Sequence, residues 1–274
     1  MTLVAAWVRH HPNTSELYVA SDSRLGGGRA WDIGTKVFDL GRGDAVLAFA
    51  GHTADAYPLM LQLQSCVKMH PKLSTRAYDL AELKGHMLRI FNAMWRSISS
   101  LPNGQSVPDP AAARFILAGY SWRYEAFKIW TIYFHSPSNE FRFREASHHR
   151  KKGGGNKYFM FIGDDANLAQ ERVYELFRER KRVRSVGCHM EPFEVLREFI
   201  RDDQKPYIGG APQVHKIYRH LNTLPYNVYW PRRQSGTVAF GGRLLLPYER
   251  NKYLAFDPDT FEVGETQWPD ASES

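Results

Sequence analysis

Thr2 is the residue of this chain whose type and position most directly suggest chemistry, because it follows only the initiator Met1. A small second residue permits removal of the methionine, which leaves Thr2 at the amino terminus. The hydroxyl oxygen of a terminal threonine can attack a carbonyl carbon, and its free amine can take the proton directly or through one water. The ordinary pKa of that amine is roughly 7.7–8.0, close to the pH of a cell. The simpler interpretation, that Thr2 merely begins a strand, stays open.

Other groupings of reactive residues point to no metal or organic cofactor. His10-His11 and His148-His149 are adjacent pairs, and neighbouring residues of a strand face opposite sides of a sheet. The sequence contains neither a CxxC nor an HExxH spacing. Gly26-Gly27-Gly28 follows a predicted strand but opens no helix with a following lysine, so it does not resemble a phosphate-binding loop.

Cysteine usage and hydropathy predict a cytoplasmic protein. The two cysteines, Cys66 and Cys188, are too few for a disulfide framework, and we expect both to be buried as small hydrophobic side chains. No apolar run approaches the roughly 18 residues that a membrane span needs. Arg9, His10 and His11 interrupt the apolar stretch at the start, which argues against a secretory signal.

The net charge of +7 comes largely from two basic segments, residues 142–157 and residues 178–184. Such segments could contact the phosphates of a nucleic acid. Aromatic residues are not interleaved in the second segment, as a base-stacking surface would require. We therefore favour a solvated loop and helix end, or a subunit contact, and expect no nucleic-acid partner.

Hydrophobic periodicity divides the chain into alternating groups of strands and helices. Residues 2–8, 16–22, 36–40 and 45–50 read as strands, and the last two form a hairpin around residues 41–44. Two helices follow, with apolar faces over residues 56–67 and 80–98. Thr53 and either Ser74 or Thr75 are candidate caps for their starts.

The second half repeats this order. Strands are predicted at residues 114–120, 126–134, 139–144 and 157–162, then helices over 168–177 and 193–200, then strands at 228–230, 237–240 and 243–246. Strands joined by hairpins imply antiparallel sheets, and paired helices between strand groups imply helices outside packed sheets. We expect one domain over residues 1–274, with a basic loop around 142–157 and a divergent extension after about residue 220.

Four segments, taken in order, resemble the proteasome-type subunits of the N-terminal nucleophile hydrolase superfamily. They are Thr2 opening a strand, Ala20-Ser21-Asp22 ending the next, Lys36 beginning the third, and the passage Ala48 to Ala56 from strand to helix. The similarity is greatest to proteasome β-subunits and HslV-type peptidases. It covers residues 2–70 well and 157–217 more loosely, where Phe161-Ile162-Gly163, Arg201-Asp202-Asp203 and Ile208-Gly209-Gly210 echo the family.

The resemblance implies an α+β fold, a four-layer αββα sandwich of two antiparallel sheets flanked by helices. It implies an N-terminal threonine hydrolase that cleaves amide bonds, in a peptide or protein substrate, after Met1 is removed. It also implies a self-assembled homo-oligomeric ring, with an ATPase as a possible partner. No metal or organic cofactor is required.

The same resemblance assigns roles to individual residues. Lys36 would lower the barrier to attack by Thr2, and Asp22 would hold Lys36 and balance its charge. Because an isolated buried charge is costly, these two side chains should pair. The backbone N–H of Ala48, where the family favours glycine, would hold the oxyanion.

Besides Ala48, the sequence departs from the family at two places. Asp164 stands where the active relatives have a serine that relays a proton, and Ile208 stands where they have a second serine. Asp202 or Asp203 could supply the remaining family aspartate, and we assign it to Asp203. These departures leave a second hypothesis open, a catalytically inactive subunit that keeps the fold for structural or interaction purposes.

Overall fold

Two antiparallel sheets contain most of the strands that the periodicity predicts. The computed structural model describes residues 2–11, 13–26, 29–101, 104–146, 148–149 and 157–268. Within these residues the protein is a mixed α and β fold with several antiparallel sheets and few helices. The first sheet has the spatial order β10 (His148–His149), β11 (Lys157–Gly163), β1 (Leu3–His10), β2 (Ser15–Ser21), β12 (Gln213–Tyr218) and β13 (Asn222–Pro225).

The second sheet contains the predicted hairpin and the strands that follow the first helices. Its order is β5 (Val37–Asp39), β6 (Ala45–Gly51), β7 (Ala113–Ser121), β8 (Ala126–His135) and β9 (Glu140–Glu145). All of its neighbouring strands are antiparallel, as the hairpin spacing predicts.

The last third of the chain forms a smaller sheet that includes one parallel pair. Its order is β16 (Arg243–Leu244), β15 (Val238–Phe240), β14 (Asn227–Tyr229), β17 (Ala255–Phe256) and β18 (Val263–Gly264), with β14 and β17 parallel. A separate two-stranded ribbon joins β3 (Arg24–Leu25) and β4 (Trp31–Asp32).

The described helices fall between the strand groups, as predicted. They are α1 (Thr53–Met69), α2 (Pro71–Ser74), α3 (Leu80–Arg96), α4 (Ala166–Glu179) and α5 (Glu191–Ile200). The predicted caps are wrong. His52 precedes α1 without a side-chain cap, and Asp79 caps α3 by accepting a hydrogen bond from the Ala81 N–H at 2.9 Å. A short helix at Pro71 takes up Ser74, so the cap of α3 lies later than the sequence suggests.

Strand alternation separates three clusters of buried apolar side chains. One face of β1 packs with α4 and α5, and the other face packs with side chains of the second sheet. The side chains of β6 alternate in the same way, so those on one face pack with α1 and α3 and those on the other face pack against the first sheet. The side chains of β1 and β6 in the cluster shared by both sheets are Val4, Ala6, Val8, Val46, Ala48 and Ala50.

β6 and β11 each end in a glycine that turns the chain toward a helix. Gly51 has φ +106° and Gly163 has φ +109°, in the region that favours glycine. A Cβ on Gly163 would lie 1.9 Å from the carbonyl oxygen of Thr2, and one on Gly51 would lie 2.1 Å from that of Ala112. Close backbone approach therefore requires glycine at both strand ends.

One strand was not predicted from the sequence, and some segments that the sequence analysis singled out lie outside the described residues. The sequence did not predict β12, because its polar members Gln213, His215 and Lys216 break the apolar pattern, although all three are buried. Gly27, Gly28 and most of the basic loop, residue 147 and residues 150–156, lie outside the described residues. Cys188 is buried and Cys66 is half-buried, and both are free thiols.

Candidate functional site

The sheet order brings residues from three strands to the amino-terminal end of β1. β1 lies between β11 and β2 and is antiparallel to both, with Leu3 opposite Gly163 and Val4 opposite Ser21. The residues that follow β11 and β2 therefore flank the start of β1. These residues are Asp164 on one side and Asp22 on the other.

Asp22 and Lys36 form a fully buried ion pair beside this strand end. The Lys36 Nζ lies 3.0 Å from each carboxylate oxygen of Asp22, and both side chains have no exposed surface. The Lys36 Nζ also donates to the Arg24 carbonyl at 2.5 Å. Asp22 accepts backbone N–H bonds from Leu3 at 3.1 Å, Arg24 at 3.2 Å and Gly209 at 3.3 Å. The carboxylate is thus tied to β1 and to the loop before β12.

Burial and pairing act in opposite directions on this ion pair. Burial lowers the pKa of Lys36 below its usual range, and the neighbouring Asp22 carboxylate opposes this shift. Burial likewise raises the pKa of Asp22, against the ammonium of Lys36 and the backbone N–H donors. Because the Asp22 carboxylate lies within hydrogen-bonding distance, it favours the ammonium form of Lys36 against the effect of burial.

Asp164 brackets Thr2 with two hydrogen bonds. The Asp164 Oδ2 accepts from the Thr2 backbone nitrogen at 2.8 Å, and the Asp164 N–H donates to the Thr2 carbonyl at 2.9 Å. Thr2 itself is buried, with 2% of its surface exposed. Asp164 therefore contacts the nitrogen that would become the terminal amine on removal of Met1.

The turn that carries Asp164 is fixed by its neighbour. Asp165 adopts a left-handed conformation, with φ +55°, and its carboxylate binds the Lys205 Nζ at 2.7 Å and the Tyr207 hydroxyl at 3.0 Å. These contacts lower the pKa of Asp165, the Lys205 hydrogen bond most of all. They join the start of α4 to the segment that leads into β12.

Gln213, which the sequence analysis did not single out, connects both sheets at the site. Its side-chain oxygen accepts from the backbone N–H groups of Lys36 at 2.9 Å and Val37 at 3.2 Å. Its side-chain nitrogen donates to the carbonyls of Gly34 at 2.7 Å and Asp22 at 3.4 Å. Gln213 thereby positions the backbone around both members of the ion pair. A single polar residue at the start of a strand does not by itself indicate a functional position, so the sequence gives little reason to select Gln213.

The segment matched to the family's Ser-Gly-Gly contributes backbone rather than side-chain hydroxyls. Ile208 is buried in the apolar cluster beside α5, whereas Gly209 donates to Asp22 and accepts from the N–H groups of Ser23 and Arg24 at 3.0 Å each. A Cβ on Gly209 would lie 2.4 Å from the Arg24 guanidinium carbon. A larger residue at position 209 would therefore displace the Arg24 guanidinium from its contacts with Asp32 and the Pro206 carbonyl.

Asp203 lies apart from these contacts. It is exposed on a turn after α5, and the hydrogen bonds of the described residues around Thr2 do not include it. Its assignment as the family aspartate stays a prediction without geometric support.

The backbone N–H of Ala48 is directed into the sheet. The N–H groups of Tyr120 and His52 donate across the β6–β7 ladder, to Asp44 at 3.0 Å and Ala112 at 2.9 Å. Hydrogen-bonded pairs alternate along an antiparallel ladder, so Ala48 and Ile116 form such a pair midway between them. While this ladder stays closed, the Ala48 N–H is occupied by β7.

A hairpin from the carboxy-terminal third packs against the same region. The turn between β15 and β16 is Gly241-Gly242, with φ values of +59° and +92°. A Cβ on Gly242 would lie 2.6 Å from the Ser23 Cβ and 2.8 Å from the Gln213 side-chain nitrogen. Ser23 is fully buried, and its hydroxyl has no hydrogen-bond partner among the described residues.

A separate cleft lies at the other end of β1. It has a volume of about 860 Å³ and is lined by Val8, His10, Tyr120, Trp122, Lys128 and Arg219, among others. Because Thr2 immediately precedes β1 and Val8 lies near the other end of that strand, this cleft is separate from the Thr2 site.

The second basic segment is partly neutralised within the fold. Arg180 forms a two-contact ion pair with Glu194, at 2.7 and 2.6 Å, and Arg182 pairs with the buried Glu191. Lys157 is buried at the start of β11 and donates to the Arg182 carbonyl at 3.1 Å. These side chains hold the loop between α4 and α5, which supports the structural interpretation of the segment.

Comparison of the sequence with protein-family models and with curated proteins finds no match. None of the helices in the described part of the chain has the length and apolarity that crossing a membrane requires.

Proposed function

We propose that this chain is an N-terminal threonine hydrolase that cleaves amide bonds in peptides after removal of Met1. The observation that carries the proposal is the convergence on one strand end of Thr2, Asp164 and the buried Asp22–Lys36 pair. Burying two charges is expensive, and a buried pair is weak evidence for stability alone. Its position beside the start of β1 favours a role in the chemistry of Thr2.

The proposed architecture is the αββα sandwich of the proteasome-type hydrolases. It is supported by the three apolar clusters, one between the two large sheets and one between each sheet and its own pair of helices. Thr2 precedes β1 of one sheet and Lys36 precedes β5 of the other, and Asp22 links the two strand starts by accepting from the Leu3 N–H and the Lys36 Nζ.

In the proposed reaction the Thr2 hydroxyl oxygen attacks the substrate carbonyl carbon. Its proton passes to the free Thr2 amine, and the nearby Lys36 ammonium stabilises the attacking oxygen. The leaving amine takes the proton as the amide bond breaks, and an ester to Thr2 remains. Water then attacks this ester, releases the acid product and restores the hydroxyl.

The oxyanion needs a donor other than the occupied Ala48 N–H. The Phe49 N–H donates to the Lys36 carbonyl at 3.1 Å, so alternation turns the Gly51 N–H toward the same side of β6. Gly51 lies beyond the end of β5. We assign the oxyanion donor to this N–H, and loss of one such donor typically costs about 10²–10³ in rate.

Replacing Thr2 tests the proposal. Thr2→Ala should lower hydrolysis of a fluorogenic peptide panel by at least about a thousandfold, because it removes the nucleophile. Thr2→Ser is the matched control and should retain measurable turnover, since it keeps a hydroxyl and an amine. Intact mass establishes whether Met1 is absent, and thermal unfolding establishes that both variants fold. Wild-type turnover in the folded alanine variant contradicts the mechanism.

The occupied Ala48 N–H and the almost complete burial of Thr2 favour a second candidate, an inactive subunit that serves assembly. Both candidates share the proposals of a cytoplasmic location and of a homo-oligomeric ring, for which an ATPase that delivers unfolded substrate is a possible partner. Sedimentation velocity tests the ring in either case. Absence of turnover in a processed, ring-forming wild-type chain would favour the inactive subunit.

A further inference from the structure

We propose that Asp164 is a positioning residue that holds the amine of processed Thr2 in its ammonium form, so that turnover rises with pH above neutrality. The inference rests on the proposed threonine hydrolase and concerns the regulation of the same site. A serine at this position, as in the active relatives, would carry no such charge.

The geometry already favours an ammonium. The Asp164 Oδ2 lies 2.8 Å from the Thr2 nitrogen, and the Asp164 N–H holds the Thr2 carbonyl at 2.9 Å. When hydrolysis of the Met1–Thr2 bond turns this amide nitrogen into an amine, the carboxylate already lies at hydrogen-bonding distance. No rearrangement of Asp164 is required.

The charges around Thr2 leave Asp164 to balance the new cation. The charged and titratable groups of the packed elements are Asp164, Asp22, Lys36, Arg24, Asp32, Asp165, Lys205 and Tyr207. Lys36 pairs with Asp22, Arg24 with Asp32 at 2.6 Å, and Asp165 with Lys205 at 2.7 Å. Among the described members of this set, Asp164 is the carboxylate without an ion pair to a side chain.

An ammonium cannot accept the proton of the threonine hydroxyl, so the carboxylate delays formation of the active base. An opposite charge within hydrogen-bonding distance typically shifts a pKa by about 1–3 units toward the charged form. The Lys36 ammonium and burial act against this shift. We therefore expect an amine pKa about one unit higher with Asp164 than with an uncharged residue of the same shape.

Titration of the amine tests the inference without any need for turnover. Processed protein labelled with ¹³C-threonine is followed by NMR as a function of pH, and the Thr2 resonance is assigned with the Thr2→Ser variant. We expect the wild-type amine to titrate above the ordinary 7.7–8.0. Asp164→Asn, which keeps the shape, and Asp164→Ser should each lower the midpoint by about one unit.

Asp109→Asn is the control for loss of a carboxylate. Asp109 is exposed in the loop before β7, where its carboxylate accepts a bond from Gln105, and its replacement should leave the midpoint unchanged. A wild-type midpoint at or below the ordinary range that Asp164→Asn does not move overturns the inference.

Where the chain is active, the pH profile of kcat/KM supplies a second readout. The rising limb should move to lower pH by about one unit in Asp164→Ser, raising turnover at pH 7 by up to about tenfold. If the rising limb of the kcat/KM profile stays at the same pH in Asp164→Ser while kcat/KM falls equally at every pH, Asp164 only maintains the conformation of the turn between β11 and α4. Failure of the threonine hydrolase itself appears separately, as a raised amine midpoint that Asp164→Asn lowers, without any turnover.

Discussion

At the level of single residues, the proposed chemistry of Thr2 depends on one carboxylate and one ammonium group, both of which are inaccessible to solvent. Asp22 and Lys36 are each fully buried and lie 3.0 Å apart. Removing one member of such a pair leaves the other charge buried and typically costs about 3–5 kcal/mol. The pair is therefore expected to behave as one unit in folding.

A double-mutant cycle measures the coupling energy between Asp22 and Lys36. Asp22→Ala and Lys36→Met should each lower the free energy of unfolding by about 3–5 kcal/mol. The double variant should cost less than the sum by about 1–3 kcal/mol, because neither charge remains. Urea denaturation supplies all four free energies.

The cross-strand pair Lys128–Glu145 is a suitable comparison. Its atoms lie 2.8 Å apart, but its side chains are 22% and 44% exposed. Exposed pairs typically contribute about 0–1 kcal/mol, so the coupling in this cycle should be small. Equal coupling energies in the two cycles would contradict the picture of a site built around a desolvated pair.

At the scale of elements, the carboxy-terminal hairpin acts as part of the site rather than as an appendage. Its Gly242 turn lies against Ser23 and the side chain of Gln213, and the Thr35 hydroxyl donates to the Gly241 carbonyl at 3.3 Å. Gln213 in turn binds the backbone N–H of Lys36. A displacement of the hairpin is therefore transmitted to the start of β5.

Gly242→Ala and Gly236→Ala separate this contact from backbone strain. Both glycines have left-handed φ values, +92° and +67°, so alanine strains the backbone at either by roughly 1–2 kcal/mol. A Cβ on Gly236 meets nothing within 4 Å, whereas one on Gly242 overlaps Ser23. Only Gly242→Ala should lower peptide turnover, by about tenfold or more, since small misplacements of catalytic groups are costly. Equal effects on turnover would remove the hairpin from the site.

The sequence predicted elements well where the signal is local. Strands β1 and β2 follow from two apolar runs, and the predicted hairpin around residues 41–44 joins β5 to β6. The pairing of β1 with β11 joins residues about 160 apart, and no local pattern specifies it. Gln213 and Gly242 act through contacts of that kind, which is why neither was predicted.

At the scale of the whole molecule, the packed layer between the two large sheets contains a buried histidine. His215 lies on the same face of β12 as Ile217, which belongs to the apolar cluster shared by both sheets. Its Nδ1 has no partner among the described residues, and burial lowers the pKa of His215 to about 4. The layer therefore stays packed with a neutral imidazole.

Stability should consequently fall as the solution is acidified. Between pH 6.5 and about 4 the unfolded chain binds a proton at His215 that the folded chain does not, so the free energy of unfolding decreases as pH falls through this window. The loss from this group alone is about 3 kcal/mol between pH 7 and pH 4.

His215→Asn should remove most of this dependence of the unfolding free energy on pH. Urea denaturation at several pH values measures the slope of that free energy against pH. His220→Asn, at an exposed position in the β12–β13 connection, should leave the slope unchanged. If both variants keep the wild-type slope, the imidazole is not the group that titrates in this range.

Covalent labelling tests whether the amino-terminal threonine is a nucleophile, and it needs no substrate. A peptide epoxyketone reacts with both the hydroxyl and the amine of a terminal threonine, so incubation of processed protein followed by peptide mass spectrometry locates the adduct. The account predicts a single adduct on Thr2, absent from Thr2→Ala. A processed, folded chain that stays unlabelled at Thr2, or that is labelled equally in the alanine variant, would contradict it.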